Sequence, residues 1–399
     1  MSFEFHLHSA YGPARTGTFT VHGRTVETPV FMPVGTAGSV KALPPEDLAA
    51  LGAQICLGNT YHLYLRPGVD VVRRAGGLHQ FTTWNGAILT DSGGYQVFSL
   101  QELRKIEKEG VRFRSHLDGS EHLFTPEGVY DIQHGLGTDI AMVLDVCTPY
   151  PADHDHAAAD LKVTLEWAAR SKAVTLVPSG GSDTGAPQLA VGKSHQGEAY
   201  PPRAMGHPAL FGIVQGGIHL DLRRESALAL IEIGFDGYAI GGLSVGEPKD
   251  AMWEVTGVTA PLLPVERPRY LMGVGTPEDI VTAIGLGIDM FDCVLPTRAA
   301  RHGTAFTHEG TLPIKAGRYA DDFGPLDADC DCPTCKRYSR AYIRHLFNAG
   351  EISAMILTTR HNLHFYLSLM RRARAAIREN AWTAFSREFL ARYRAGATE

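Results

Sequence analysis

Asp292 stands inside the apolar run Met290-Phe291-Asp292-Cys293-Val294-Leu295, and Pro296, Arg298 and Arg301 follow directly. A carboxylate is rarely buried without a partner, so this one is either ion-paired or held at a strand end to do chemistry. Four other short apolar runs end in Asp91, Asp145, Gln215 and Gly242. Each aspartate alone would pass as structural. Three carboxylates brought to one mouth would repel one another and could hold a proton at neutral pH, which suits a nucleophile paired with a general acid/base. Asp91-Ser92-Gly93-Gly94-Tyr95-Gln96 adds a hydroxyl, two glycines that let a ligand approach the backbone, and a ring face for stacking. Gly241-Gly242-Leu243-Ser244-Val245-Gly246-Glu247 offers freed backbone groups that can read a planar heterocycle, a weaker signal.

The strongest local pattern is Cys330-Asp331-Cys332-Pro333-Thr334-Cys335 with histidines downstream. Three thiolates and one imidazole make a closed tetrahedral zinc site with no position left for an activated water. His345, His361 and His364 each fit as the fourth ligand. Cys56, Cys147 and Cys293 lie in separate apolar runs, so the six cysteines do not form a disulfide framework.

These residues need elements to hold them. Eight near-continuous apolar runs, at 29–35, 54–60, 87–92, 140–145, 210–215, 237–242, 270–275 and 290–295, mostly alternate with helix-like segments. Strands covered on both faces lose polar alternation, so the pattern predicts a parallel (β/α)₈ TIM barrel, whose active site lies at the C-terminal strand ends. A doubly wound open sheet is second, but the glycine-rich dinucleotide fingerprint is missing from the first strand turn. Thr276-Pro277-Glu278-Asp279 marks a helix start with N-cap, proline and acids in order. Up to about residue 28, an alternating run with His22-Gly23 at its turn predicts a β-hairpin leader. Residues 178–207, rich in Gly, Ser and Pro, are expected to be a flexible excursion, and 297–361 a zinc-binding insertion in a single catalytic domain spanning 1–399.

Composition narrows the class. With 44% hydrophobic and 20% charged residues the chain is that of a soluble globular protein. Neither a basic leader nor an apolar run of about 18 residues is present, which predicts a cytoplasmic protein with no membrane association. Residues 291–399 carry 16 Lys and Arg against 11 Asp and Glu, whereas residues 1–290 carry 21 against 32, so a polyanionic partner would meet the C-terminal part.

Taken together, Asp91 to Gln96, Asp145-Val146-Cys147-Thr148-Pro149-Tyr150-Pro151, Gln215-Gly216-Gly217, Gly242 to Glu247, Asp292, Thr297-Arg298-Ala299-Ala300-Arg301 and the cysteine cluster resemble, in order and over nearly the whole chain, the bacterial-type tRNA-guanine transglycosylase family. The resemblance implies a homodimeric (β/α)₈ enzyme with one structural zinc ion per subunit. Its reaction would exchange guanine at wobble position 34 of GUN-anticodon tRNAs (aspartate, asparagine, histidine and tyrosine tRNAs) for preQ1, a step towards queuosine. By the same resemblance Asp292 is the nucleophile and Asp91 the general acid/base. Asp91, Ser92, Gly93, Gly94, Asp145, Gln215, Gly242 and Leu243 line or read the base, Tyr95 and Met272 sandwich it, and Val245 with Cys147 bounds its aminomethyl side. Gly273, Val274, Gly275, Thr276, Pro277, Glu278 and Asp279, with Thr297, Arg298, Ala299, Ala300 and Arg301, would touch RNA. Cys330, Cys332, Cys335 and His361 would hold the zinc.

The implied chemistry agrees with the residues: a carboxylate attacks the anomeric carbon and a second protonates the leaving base, as in retaining glycosidases, with a base as acceptor in place of water. An anticodon loop is single-stranded, where extruding a base costs little. Two departures stand out: Val146 replaces an acidic residue common in bacterial relatives, leaving the network around Glu247 open, and the 178–207 excursion is longer than the family's usual connection. A zinc hydrolase or ordinary glycosidase on the same barrel is the competing class, and a non-catalytic tRNA-binding subunit the third. The first would need an open metal position at the strand ends, and the second could dispense with Asp91 and Asp292.

Overall fold

The computed structural model describes residues 3–99, 104–176 and 206–396, so all but Gly206 and His207 of the 178–207 excursion lies outside the described residues. An antiparallel sheet of β1 (Glu4–Tyr11), β2 (Ala14–Val21) and β3 (Arg24–Thr28) comes first, the expected hairpin with one further strand. Its β2–β3 turn is the two-residue loop His22-Gly23, both at positive φ (46° and 79°), where glycine carries little strain. Then β4 (Val30–Gly35), β5 (Ile55–Gly58) and β6 (Ala87–Thr90) begin the barrel. A lateral sheet follows, β7 (Arg104–Ile106), β8 (Val111–Arg114) and β9 (Glu121–Phe124). The barrel resumes with β10 (Ile140–Met142), β11 (Ala209–Val214), β12 (Gly237–Ile240), β13 (Arg269–Leu271) and β14 (Met290–Cys293), and β14 pairs in parallel with β4 to close it. All eight barrel strands coincide with the apolar runs. Phe31, Phe211, Met290 and Phe291 are wholly buried, as strands covered on both faces require.

Acids placed just ahead of strands fasten the N-terminal end of the barrel. Asp139 accepts from the Ile88 amide (2.9 Å), His79 (2.8 Å), His22 (3.0 Å) and Arg24 (3.1 Å). Burial pushes its carboxyl up, but the bonds from His22 and His79 and the charge of Arg24 outweigh burial and hold it well below the usual carboxylate range. Asp289 accepts from the Arg269 amide (2.7 Å) and from both Nε (3.0 Å) and Nη2 (2.5 Å) of Arg15. Breaking a buried pair of this kind typically costs about 3–5 kcal/mol, because one charge is left uncompensated. Arg15, His22 and Arg24 belong to the leader sheet or its turn, so the sheet is tied to this end and the opposite mouth stays free for a site.

The helix over Pro277–Gly285 begins as the sequence predicts, with Thr276 Oγ1 accepting from the Asp279 amide at 3.2 Å. Beyond β14 the chain forms helix Leu295–His302, the hairpin β15 (Thr304–Thr307) and β16 (Gly310–Pro313), and helix Arg340–Asn348 around a small core of Ala305, Leu312, Ile314, Leu326, Ile343 and Leu346. The 27-residue helix Ile352–Arg378 leaves that core and runs back along the barrel, burying Leu363, Tyr366, Met370 and Ala373. No helix among the described residues is long and apolar enough to cross a membrane.

Candidate active site

Asp91 and Gln215 directly follow β6 and β11, Asp145 and Gly242 lie within three residues of β10 and β12, and Asp292 is the next-to-last residue of β14. All five line one pocket of about 420 Å³ at the C-terminal mouth, together with Ser92, Gly93, Tyr95, Leu243, Val245, Met272 and Cys147. Gly94 sits immediately behind, its amide donating to Ser92 Oγ at 3.1 Å.

The two principal carboxylates are held differently. Asp292 Oδ1 accepts from the Tyr270 hydroxyl (2.6 Å) and the Gly273 amide (2.8 Å), while Oδ2 has no hydrogen-bond partner among the described residues. Burial raises its pKa, and the two donors pull the other way. Asp91 is clamped at both oxygens: Asn59 Nδ2 donates to Oδ2 at 2.5 Å, and the Thr60 and Gly93 amides donate to Oδ1 at 2.9 and 3.1 Å. Burial, opposed by the Thr60 and Gly93 amides but aided by the negative charge of Asp292, leaves it at about 7. One carboxylate thus offers a free oxygen to the pocket, while the other is poised to exchange a proton near neutrality.

Asp145 lies deeper, accepting from Gln215 Nε2 (2.7 Å) and Ser92 Oγ (3.3 Å), and burial raises it to about 6 against those bonds. Gln215 Oε1 is buried without a hydrogen-bond partner among the described residues, an acceptor left for something that enters the pocket. Gly242 has φ +64°, and a Cβ there would lie 2.3 Å from that oxygen, so only glycine fits. Tyr95 is exposed and Met272 half-buried at the rim. Glu247 closes on its own loop, accepting from the Ser244 (2.5 Å) and Val245 (3.0 Å) amides. Val146 is buried elsewhere, among Leu144, Phe98 and Trp167, with its amide on Thr164 Oγ1.

The segments expected at RNA are only partly outward. Gly273 and Arg298 are exposed, Thr276, Glu278, Ala299 and Arg301 are half-buried, and Val274, Gly275, Pro277, Asp279, Thr297 and Ala300 are buried. Asp279 is engaged by Lys249 at 3.0 Å and by Thr276 Oγ1 at 2.5 Å.

Cys330, Cys332, Cys335 and His361 converge, with all four ligand atoms within 4.8 Å of one another. The sulfurs lie 3.5, 3.6 and 3.3 Å from His361 Nδ1. A tetrahedral zinc with bonds of about 2.3 Å to sulfur and 2.0 Å to nitrogen sets sulfur–nitrogen edges of roughly 3.6 Å, so the donor set fits that ion. His361 Nε2 contacts the Phe306 carbonyl at 2.8 Å, which leaves Nδ1 for the metal. His364 is 3.6 Å from Cys330 Sγ alone and faces Asp331, and neither it nor His345 joins the cluster.

Residues that strand-end reasoning missed are Tyr270, which enters β13 as one more core aromatic, and Asn59 with Thr60. The same rule applied to the run 54–60 would have found Asn59 and Thr60, the polar residues that follow its apolar part.

A family model described as Queuine tRNA-ribosyltransferase matches residues 10–395. Among relatives of that same name, the protein of Caldanaerobacter subterraneus subsp. tengcongensis is 54% identical over 381 residues, 95% of this chain and 94% of its own. That of Oleidesulfovibrio alaskensis is 54% identical over 391 residues, covering 98% and 97%. That of Koribacter versatilis is 54% identical over 378 residues, covering 94% of each. With matches of this length on a barrel whose mouth gathers the carboxylates, the chain belongs to the queuine tRNA-ribosyltransferase family, the tRNA-guanine transglycosylases.

Proposed function

We propose that this enzyme replaces guanine at wobble position 34 of GUN-anticodon tRNAs with preQ1, in the cytoplasm, by double displacement through a covalent Asp292–ribose intermediate. The observation that carries this is the division of labour between Asp292, with one oxygen bonded and one free towards the pocket, and Asp91, clamped and titrating near 7. Asp292 Oδ2 attacks C1′ of the ribose, the C1′–N bond breaks with its electron pair going to guanine, and protonated Asp91 gives the leaving base its proton. PreQ1 then yields a proton to Asp91 and attacks C1′, which frees Asp292. Asp145, Gln215, Gly242 and Leu243 read the edge of the base between Tyr95 and Met272, with Ser92, Gly93 and Gly94 shaping the slot. Gly273, whose amide bonds Asp292, and Arg298, on the helix that follows β14, are both exposed and contact the flanking RNA. The buried members of 273–279 and 297–301 support them by fixing the turn before helix Pro277–Gly285 and the helix Leu295–His302. Radiolabelled guanine should exchange into a GUN-anticodon tRNA; no incorporation would refute the reading.

Base choice gives a second expected result. Val245 and Cys147 both line the pocket, so a base enlarged on its aminomethyl side must displace packed groups. Such overpacking typically costs about 1–3 kcal/mol. Wild type should use preQ1 and guanine but discriminate against queuine, and Val245→Gly should relax that preference by roughly ten- to two-hundredfold. Competing incorporation of the two bases measures it, and an unchanged preference in the variant would show that Val245 merely packs.

The cysteine site is proposed to hold one structural zinc ion per subunit through Cys330, Cys332, Cys335 and His361. Four protein ligands fill its coordination, so its contribution is to fasten the insertion. His361→Ala should lose the metal and lower Tm together, measured by metal content and thermal unfolding. Metal loss that removed chemistry while fold and tRNA binding stayed intact would overturn the structural assignment. A homodimer through this unit is supported by its exposed apolar side chains Phe323 and Ile352, 81% and 71% exposed, and by the stacked rings of Tyr338 and Tyr342 in the same unit. Sedimentation showing only monomer at micromolar concentration would count against it.

A further inference from the structure

Arg223 is a charged side chain with no exposed surface and no carboxylate within ion-pairing distance among the described residues. It lies in the first turn of helix Leu220–Ile233, which follows β11. Burial lowers its pKa to about 10, so the guanidinium remains charged at neutral pH. In place of an acid it holds backbone carbonyls: Nε donates to Gly217 (2.8 Å), Nη1 to Val214 and Gly241 (2.8 Å each) and Nη2 to Gly242 (3.4 Å). These carbonyls belong to the last residue of β11 and to the two loops that carry Gln215 and Gly242 into the base pocket.

The geometry has a direct consequence. In a trans peptide the N–H points opposite to the preceding C=O. Pinning the carbonyls of Gly241 and Gly242 on the guanidinium therefore turns the amides of Gly242 and Leu243 the other way, towards the pocket both residues line. Neither amide has a protein acceptor among the described residues. Two donors are thus presented to whatever occupies the slot, backed by a cation that the charge of Glu247 reaches but that no carboxylate among the described residues pairs directly. A planar fork can hold four carbonyls on two loops at once, and a lysine ammonium cannot.

We propose that Arg223 is a positioning residue for base selection, one that aims the Gly242 and Leu243 amides at an acceptor edge and so favours a 6-oxo purine over a 6-amino one. This rests on the base-exchange reading above. β11 and β12 pair through their own backbone bonds, so the barrel does not need the guanidinium to close.

The test compares wild type with Arg223→Lys and Arg223→Gln in exchange assays with guanine and with 2,6-diaminopurine. In the variants KM for guanine should rise by roughly tenfold to a hundredfold, the weight of one or two hydrogen bonds lost in a buried site. Preference for guanine over 2,6-diaminopurine should narrow, while KM for tRNA and the rate at saturating guanine stay near wild type. A fall in rate with base KM and base preference unaltered would overturn the proposal. Loss of folding in both variants would do the same, because Arg223 would then be holding the barrel. A wild-type enzyme that exchanges no base refutes the base-exchange reading itself, and the role of Arg223 with it.

Discussion

Asp292→Asn is expected to abolish base exchange and the denaturation-resistant enzyme–tRNA adduct while tRNA binding persists. Asparagine keeps the shape, and its carbonyl oxygen can still accept from Tyr270 and Gly273, as Asp292 Oδ1 does. What changes is the group facing the pocket: an amide nitrogen, which cannot attack an anomeric carbon, replaces Oδ2. The loss should reach the detection limit, since a covalent route has no substitute nucleophile in this arrangement. Gel shift at equilibrium, paired with denaturing electrophoresis of the same mixture, separates binding from bond formation. An active asparagine variant would end the double-displacement account.

Asp91→Asn should lower the rate of adduct formation by about 10²–10⁴-fold, the usual weight of a positioned general acid. The pH dependence carries the sign. Burial and the neighbouring Asp292 charge place Asp91 at about 7, so it is protonated below that value and ionised above it. Release of guanine needs the protonated form and should slow as pH rises through about 7. Capture of preQ1 needs the ionised form and should slow as pH falls through the same range. Single-turnover adduct formation measured from pH 5.5 to 8.5 is the check (roughly the span over which such a group changes charge). A flat profile in wild type, or a sloping one surviving in Asp91→Asn, would remove Asp91 from the proton path.

Much of this was legible because a closed parallel barrel imprints itself on its sequence. Strands covered on both faces are apolar throughout, so all eight runs could be found, and the polar residues that end them, Asp91, Asp145, Gln215, Gly242 and Asp292, line one pocket. The leader hairpin was visible from its alternation, but β1, with His6, Leu7 and His8 all exposed in succession, has no comparable signal. The lateral sheet β7–β9 consists of three- and four-residue strands in which Lys105, Arg112 and Arg114 interrupt the apolar positions, and so leaves no strand pattern in the sequence.

Within the site, what escaped was what depends on three-dimensional neighbours. Tyr270 looks like any buried aromatic until its hydroxyl meets Asp292. The choice among His345, His361 and His364 cannot be made by spacing; the Phe306 carbonyl and the pitch of the long helix bring His361 alone to all three sulfurs. Arg223 and Arg224 resemble a solvated pair on a helix, and only folding shows one of them wholly buried under the pocket.

The most direct test of the central claim is to trap the covalent complex of wild-type enzyme and a GUN-anticodon tRNA in the absence of an incoming base, digest it, and locate the ribose-bearing peptide by mass spectrometry. The account predicts a single modified peptide, with the added mass on Asp292. An adduct on Asp91 or Asp145, or exchange proceeding with no adduct at any stage, would contradict it.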